Sequence, residues 1–190
     1  MKQMNYQMTY FKAPISNRVP ELVITNEQLF DAITKSQFIR ECTDRVQVEC
    51  FNKERYKAAK VKWLPSVTPA GIFSHASVQG LVALNGQAVV DIDGLASPEE
   101  AERLRDLLFA DTFLLPNLAF RSPSRLGVKL FIPCRIDPEK PLTVAFRESL
   151  ERAWDYLDSV YEVKVDRANS DLCRSCLVCH DPHAKLRIVV

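Results

Sequence analysis

Two aspartates, Asp91 and Asp93, stand two residues apart in the apolar run VVDIDGL. Successive side chains of a strand point to opposite faces, so this pair shares a face, with roots about 7 Å apart. Ionised carboxylates that close repel, and burying them is costly unless something positive lies between them. Either they face water, on the open side of a sheet that helices cover on its other side, or they hold a cation. A D-x-D pair alone is a weak signal. A third carboxylate, Asp166, follows the short run VKV where another strand would end. Three carboxylates at strand ends suit Mg²⁺ or Mn²⁺, hard cations that take oxygen ligands. Two such ions can clamp the attacking and leaving oxygens of a phosphoryl transfer.

A second group lies in RSPSRLGVKLF. Ser122, Ser124 and the backbone N–H groups around Gly127 form a candidate anion-binding turn. Lys129 points away from the face of Val128, Leu130 and Ile132, toward the side that carries the aspartates; the plain alternative is a solvated lysine beside a polar turn. The third group is DRANSDLCRSCLVCHDPHAKLR, in which Arg174, Lys185 and Arg187 are candidate phosphate contacts. Its cysteines admit haem attachment through CLVCH, an iron–sulfur spacing through Cys173, Cys176 and Cys179, or zinc with His180 or His183. Each pattern lacks part of its ligand set, so small apolar residues in a buried strand explain the cysteines better.

These groups need elements to position them. MTYFKAPI reads as a strand, and Asn26 as the cap of a helix through EQLFDAITKSQF with Leu29, Ile33 and Phe38 on one face. Residues 37–62 read as charged and helical, ending in Lys53, Arg55, Lys57, Lys60 and Lys62, a candidate track for a nucleic-acid template or simply a solvated face. LPSVTPAGIF reads as loop, with its two prolines and a glycine. GQAVVDIDGL is the clearest strand. The helix after it starts with Ser97 as cap, Pro98 in the first turn and Glu100 closing a capping box, and Ala101, Leu104, Leu107 and Leu108 form its stripe. LAFR and VKLFI read as a hairpin. Phe146, Leu150, Ala153, Trp154, Leu157 and Tyr161 mark a long helix, and VKV, CLVC and LRIVV are short strand candidates. The expected class is α+β: an antiparallel or mixed sheet with a split βαβ, RNA-recognition-motif-like core, preceded by an N-terminal α/β unit. The expected organisation is one domain over 1–190, with units near 1–78 and 79–190.

The chain of 190 residues is 47% hydrophobic and 26% charged, with formal net charge +1. That suits a globular domain and gives no global field toward nucleic acid or membranes. No run approaches the ~18 apolar residues of a membrane span. The first residues lack a secretory pattern, so a cytoplasmic location with reduced cysteines is expected.

The runs KAAKVKWLPSVTPAGIF, VVDIDGL, SPSRLGVKLF and VDRANSDLCRSCLVCHDP, in this order and spacing, resemble the VirE N-terminal family. That is a primase-like domain of the archaeo-eukaryotic primase, or primase–polymerase, superfamily. The resemblance runs from YFKAPI to Asp181 and Pro182. It implies a metal pair at Asp91 and Asp93, a third metal aspartate at Asp166, and nucleotide-phosphate contacts at Ser122, Ser124, Gly127 and Lys129. It further implies sugar or phosphate contacts at Asp171 and Arg174. Two positions depart from the pattern: Lys129 stands where histidine is common, and Arg125 where the turn carries glycine. The implied activity is nucleotidyl transfer in DNA replication of a mobile element. Its implied partners are Mg²⁺ or Mn²⁺, a nucleoside triphosphate and single-stranded DNA as template or primer. A helicase-type ATPase is a further implied partner, and no phosphate loop of that kind occurs in these residues. The rival readings are a catalytically degenerate nucleic-acid-binding module, a metal-dependent phosphodiesterase, and a redox or zinc protein built on the cysteines.

Overall fold

The computed structural model describes residues 6–167 and 170–188. The first part of the chain runs β1 (Gln7–Phe11), β2 (Leu22–Thr25), α1 (Asn26–Lys35), α2 (Gln37–Gln47), α3 (Lys53–Trp63), β3 (Ser66–Thr68) and β4 (Gly71–Phe73). Then follow β5 (Leu81–Leu84), β6 (Gln87–Asp93), α4 (Pro98–Phe109), β7 (Leu118–Arg121), β8 (Gly127–Pro133) and α5 (Leu142–Tyr161). Two short strands, β9 (Cys176–Leu177) and β10 (Lys185–Leu186), close the described chain.

Local chemistry sets the helix limits. Thr25, not Asn26, caps α1: its hydroxyl accepts from Gln28 N–H and Gln28 reaches back to Thr25 N–H, a reciprocal capping box. Asn26 is buried instead, its amide donating to Gln87 Oε1 at 3.1 Å. Ser36 ends α1 and caps α2 through Ile39 N–H, which turns Phe38 out to solvent. The expected charged helix over 37–62 is two helices, separated by the turn at 48–52, where Asn52 caps α3. Ser97 and Pro98 start α4, and Glu100 accepts from Ala96 N–H at 2.7 Å. Its buried stripe is Ala101, Arg105 and Leu108, with Leu107 exposed.

Two four-stranded antiparallel sheets form the frame, ordered β2-β1-β3-β9 and β10-β7-β8-β6. The segment read as loop supplies β3 and β4, both pairing partners of strands remote in sequence or next along the chain. Prolines 65 and 69 bracket β3 and conceal it, yet each of its residues is buried. In the second sheet α4 links β6 to β7, which run parallel to each other with β8 antiparallel between them. Val165 makes a single antiparallel bridge to Ile92 at the free edge of β6, all that remains of the expected VKV strand. Of LRIVV only Leu186 is strand among the described residues, next to Lys185 in β10, and Val189 and Val190 lie outside the described residues.

The second sheet is covered on both faces. Val90, Ile92, Val128 and Leu130 pack with Ala101 and Leu108 of α4 and Phe146, Leu150 and Leu157 of α5. The opposite face, with Val89, Leu118, Phe120 and Phe131, packs on Val178, Cys176 and the core of Met8, Leu29 and Ile33. This corrects the expectation of an open face around Asp91. No described helix is long and apolar enough to cross a membrane.

Candidate functional site

Strand register dictates the first contact. Asp91 on β6 lies opposite Lys129 on β8, and Asp93 opposite Gly127. On this shared face Lys129 Nζ donates to Asp91 Oδ1, with the two side chains only 10% and 12% exposed. Burial would lower the lysine pKa, but the Asp91 carboxylate outweighs it and the net shift is upward. Lys129 therefore keeps its charge, and each partner is what makes the other tolerable in that place.

The bridge at Val165 brings in the third carboxylate. Asp166 N–H donates to the Asp91 carbonyl at 3.0 Å, so Asp166 sits beside the edge of β6. Arg174 Nη2 then lies 3.2 Å from Asp166 Oδ2 and 3.6 Å from Asp91 Oδ2, joining the two acids. Asp171 is exposed and meets this group through its backbone, its carbonyl accepting from Arg174 N–H at 3.0 Å.

At the strand end, Gly127 is needed for space. A Cβ built there would stand 2.5 Å from the Ile92 carbonyl oxygen, 2.6 Å from Asp93 Oδ1 and 2.9 Å from Ser122 Oγ. The turn from Ser122 to Gly127 spends three of its N–H groups internally: Ser122 donates to the Gly127 carbonyl, Arg125 to the Ser122 carbonyl and Leu126 to Ser124 Oγ. The two serine hydroxyls bond each other at 2.9 Å. Anion binding at this turn would fall to its side chains more than to those N–H groups. Arg125 takes a left-handed φ of 62° and stays exposed.

The donors match what Mg²⁺ or Mn²⁺ accepts in kind: carboxylates on β6 and beside Val165, of which Arg174 joins Asp91 and Asp166. In arrangement, Lys129 and Arg174 occupy both oxygens of Asp91. Among the described residues no three His, Cys, Asp or Glu side chains already form a cation cage.

One site residue escaped sequence reasoning. Tyr56 of α3 brings a buried hydroxyl that has no hydrogen-bond partner among the described residues. Burial pushes its pKa up to about 12, with Ser124, Cys179, Asp93 and Lys129 all acting on it. Ser124 is thus near enough to be felt but outside hydrogen-bonding geometry. The available signal was an aromatic residue between the cations Arg55 and Lys57.

The cysteine readings resolve toward packing. Cys176 and Cys179 are fully buried, and burial pushes both thiols up, Cys176 to about 12. Cys179 Sγ donates to the Arg121 carbonyl at 3.2 Å, and His180 Nδ1 lies 2.7 Å from the Ile33 carbonyl. Lys185 and Arg187 lie away from the acidic group, Arg187 bonding the Phe109 and Pro116 carbonyls.

A family model described as BT4734-like, N-terminal domain, matches residues 58–185, more than half of the chain, and the chain belongs to that family. This corrects the resemblance to the primase-like VirE N-terminal family, since the match over 58–185 covers the runs from Lys57 to Pro182 that carried it, all but their first residue. No curated protein and no solved structure matches the chain.

Proposed function

We propose that this member of the BT4734-like N-terminal domain family is a nucleotidyltransferase domain acting on nucleic acid. It binds a nucleoside triphosphate beside Asp91, Asp93 and Asp166. The 3′-oxygen of a nucleic-acid end forms the new bond to the α-phosphorus, the α–β bridging bond breaks, and pyrophosphate leaves. The hydroxyl proton passes to a carboxylate of the group or to water. The observation that carries this reading is the meeting of Asp91 and Asp166 with Lys129 and Arg174 from segments far apart in sequence, with Asp93 two residues along β6 on the same face as Asp91.

Asp91, Asp93 and Asp166 would hold Mg²⁺ or Mn²⁺, which when bound lowers the pKa of an attacking hydroxyl and neutralises a leaving pyrophosphate. Arg174 is the group best suited to meet phosphate. It is 27% exposed, and its 3.2 and 3.6 Å contacts are long beside the roughly 2.7–2.9 Å of a strong charge-assisted bond, so it can trade carboxylate for phosphate. Lys129 holds Asp91 in place from below. Ser122 and Ser124 add hydroxyls at the rim. The order Val165, β6, β8, β7, with α4 between β6 and β7 and α5 after β8, supports a split βαβ, RNA-recognition-motif-like reading of this unit.

Calorimetric titration with a non-hydrolysable nucleoside triphosphate, in Mn²⁺ and in EDTA, tests the proposal. Asp93→Asn/Asp166→Asn is the informative variant, because both side chains are exposed while Asp91 holds a buried lysine. Metal-dependent binding that drops at least tenfold in the variant is expected. Binding that ignores both metal and variant would sink the metal-site reading.

A second reading has its own support. Lys129 and Arg174 already answer Asp91, which a nucleic-acid-binding module that has lost catalysis would also retain. Oligonucleotide binding without any triphosphate binding would favour it.

A further inference from the structure

The acidic group borders a second feature. A groove of about 490 Å³ runs between α2 and the turn after β7, lined by Arg40, Arg121, Arg125, His180 and His183, with Asp44 and Glu102 as its acids. Beyond Arg125 it continues into a hollow of about 470 Å³ walled by Val48, Phe51, Pro123 and Ser124. Gln47 Nε2 donates to the Pro123 carbonyl at 3.3 Å and pins α2 to the turn.

Three properties point to one class of ligand. Arginines line the groove at spaced positions: Arg40 and Arg125 are exposed, and Arg121, braced by Glu102 and Asp181, keeps a buried Nε with no partner among the described residues. His180, whose Nδ1 is committed to the Ile33 carbonyl, has Nε2 as its remaining ring nitrogen. Phe51 is 97% exposed on a short turn braced by bonds from Glu49, Cys50 and Asn52 N–H groups. Val48 in the same hollow is also exposed, so Phe51 belongs to a small apolar patch rather than standing alone. A run of spaced cations that ends at an exposed aromatic ring is what a flexible polynucleotide uses, phosphates on the cations and a base on the ring.

We propose that this groove binds single-stranded nucleic acid and leads it to the acidic group, with backbone phosphates on Arg40, Arg121 and Arg125 and a base stacked on Phe51. Continuity supports the direction: Ser124 walls the hollow and bonds Ser122, which lies against Gly127 beside Asp93. This rests on the reading that the domain acts on nucleic acid, and it moves the strand from the basic face of α3 to the α2 side of the turn.

Fluorescence anisotropy with a labelled oligodeoxythymidylate, on the full chain and at two salt concentrations, tests it. Arg40→Ala/Arg125→Asn is the first variant, asparagine being chosen because it tolerates the left-handed backbone at 125. Its affinity should fall at least tenfold, and its log–log salt slope should shrink by about 1.4, about 0.7 for each phosphate no longer neutralised. Phe51→Ala should cost about fivefold or more. Lys53→Ala/Lys57→Ala on α3 should change binding less than twofold, and a duplex of equal length should bind more weakly than the single strand. Wild-type binding in the groove variants, loss in the α3 variant instead, preference for duplex, or no oligonucleotide binding at all would each overturn the proposal. The triphosphate titration separates the two readings. A chain that binds oligonucleotide through these residues but no triphosphate keeps the groove and loses the nucleotidyltransferase. One that binds triphosphate but no oligonucleotide does the reverse.

Discussion

Asp91 and Asp181 each face two cationic side chains, yet their surroundings differ in geometry and in access to water. Asp181 is 1% exposed and ringed by protein donors: Arg121 N–H at 2.8 Å, Arg121 Nη2 at 3.1 Å, Arg105 Nη1 at 3.2 Å and His183 N–H at 3.2 Å. Arg105 is itself buried. Burial would push the Asp181 carboxyl up, but the Arg121 N–H and the two guanidinium charges outweigh it and hold it below the usual carboxylate range. Around Asp91 only Lys129 is so enclosed. Arg174 and Asp166 are 27% and 37% exposed, and the arginine's contacts are long. A carboxylate whose lone pairs all meet fixed donors fastens the fold. One with a loosely held cation and two more carboxylates at a wet rim can change partners, which a binding site requires.

The largest effect should come from the fastened member. Asp181→Asn strands the charges of Arg105 and Arg121 in a buried place, at about 3–5 kcal/mol. Thermal unfolding should drop by roughly 10 °C. The same linkage fixes the pH dependence. Because the folded pKa lies below the unfolded value of about 3.9, the stabilisation is complete above that pH and fades as pH falls through the folded value. Acid unfolding of the wild type should therefore steepen below about pH 4, and the variant should lose that part of the profile. An unchanged melting temperature and acid profile would show that the network does not fasten the C-terminal segment to β7.

Asp91→Asn should cost somewhat less, about 2–4 kcal/mol, because a buried lysine can shed its proton and an arginine cannot. Replacing both partners, Asp91→Leu with Lys129→Met, should recover most of that loss, since a well-packed apolar pair can replace a buried ion pair. If the single variant is as stable as wild type, Lys129 is not held where the structure places it, and the contrast with Asp181 weakens.

Sequence reasoning reached some of this arrangement and missed the rest for physical reasons. The period-two pattern of VVDID and the face of Lys129 follow from strand geometry alone, and registration with β8 places them in contact. The strand at 66–68 was hidden because prolines and a glycine near it carry the local signal of a loop, while its stability comes from pairing with β1 and β9. The buried Arg105 and the exposed Leu107 invert the simple stripe of α4, because Asp181, 76 residues away, needs an arginine there. Tyr56 lay beyond reach for the same reason. Its neighbours Asp93 and Ser124 come from other elements, and its own helix marks it only as an aromatic residue between two cations.

Tyr56→Phe gives the smallest and the sharpest comparison between the two regions. An unpartnered buried hydroxyl costs about 1–3 kcal/mol relative to one that is satisfied, so removing it should leave stability unchanged or slightly raised. That is the opposite of what removing any donor around Asp181 would do. If a ligand's polar atom completes the hydroxyl, triphosphate or oligonucleotide affinity should fall about fivefold in the same variant, the worth of one hydrogen bond near 1 kcal/mol. Denaturant unfolding and the two binding titrations together decide it. A variant that loses more than 1 kcal/mol of stability would mean the hydroxyl has a partner within the folded chain. A variant unchanged in both respects would mean Tyr56 only fills space behind Ser124, and the wet rim around Asp93 would then begin at the serines.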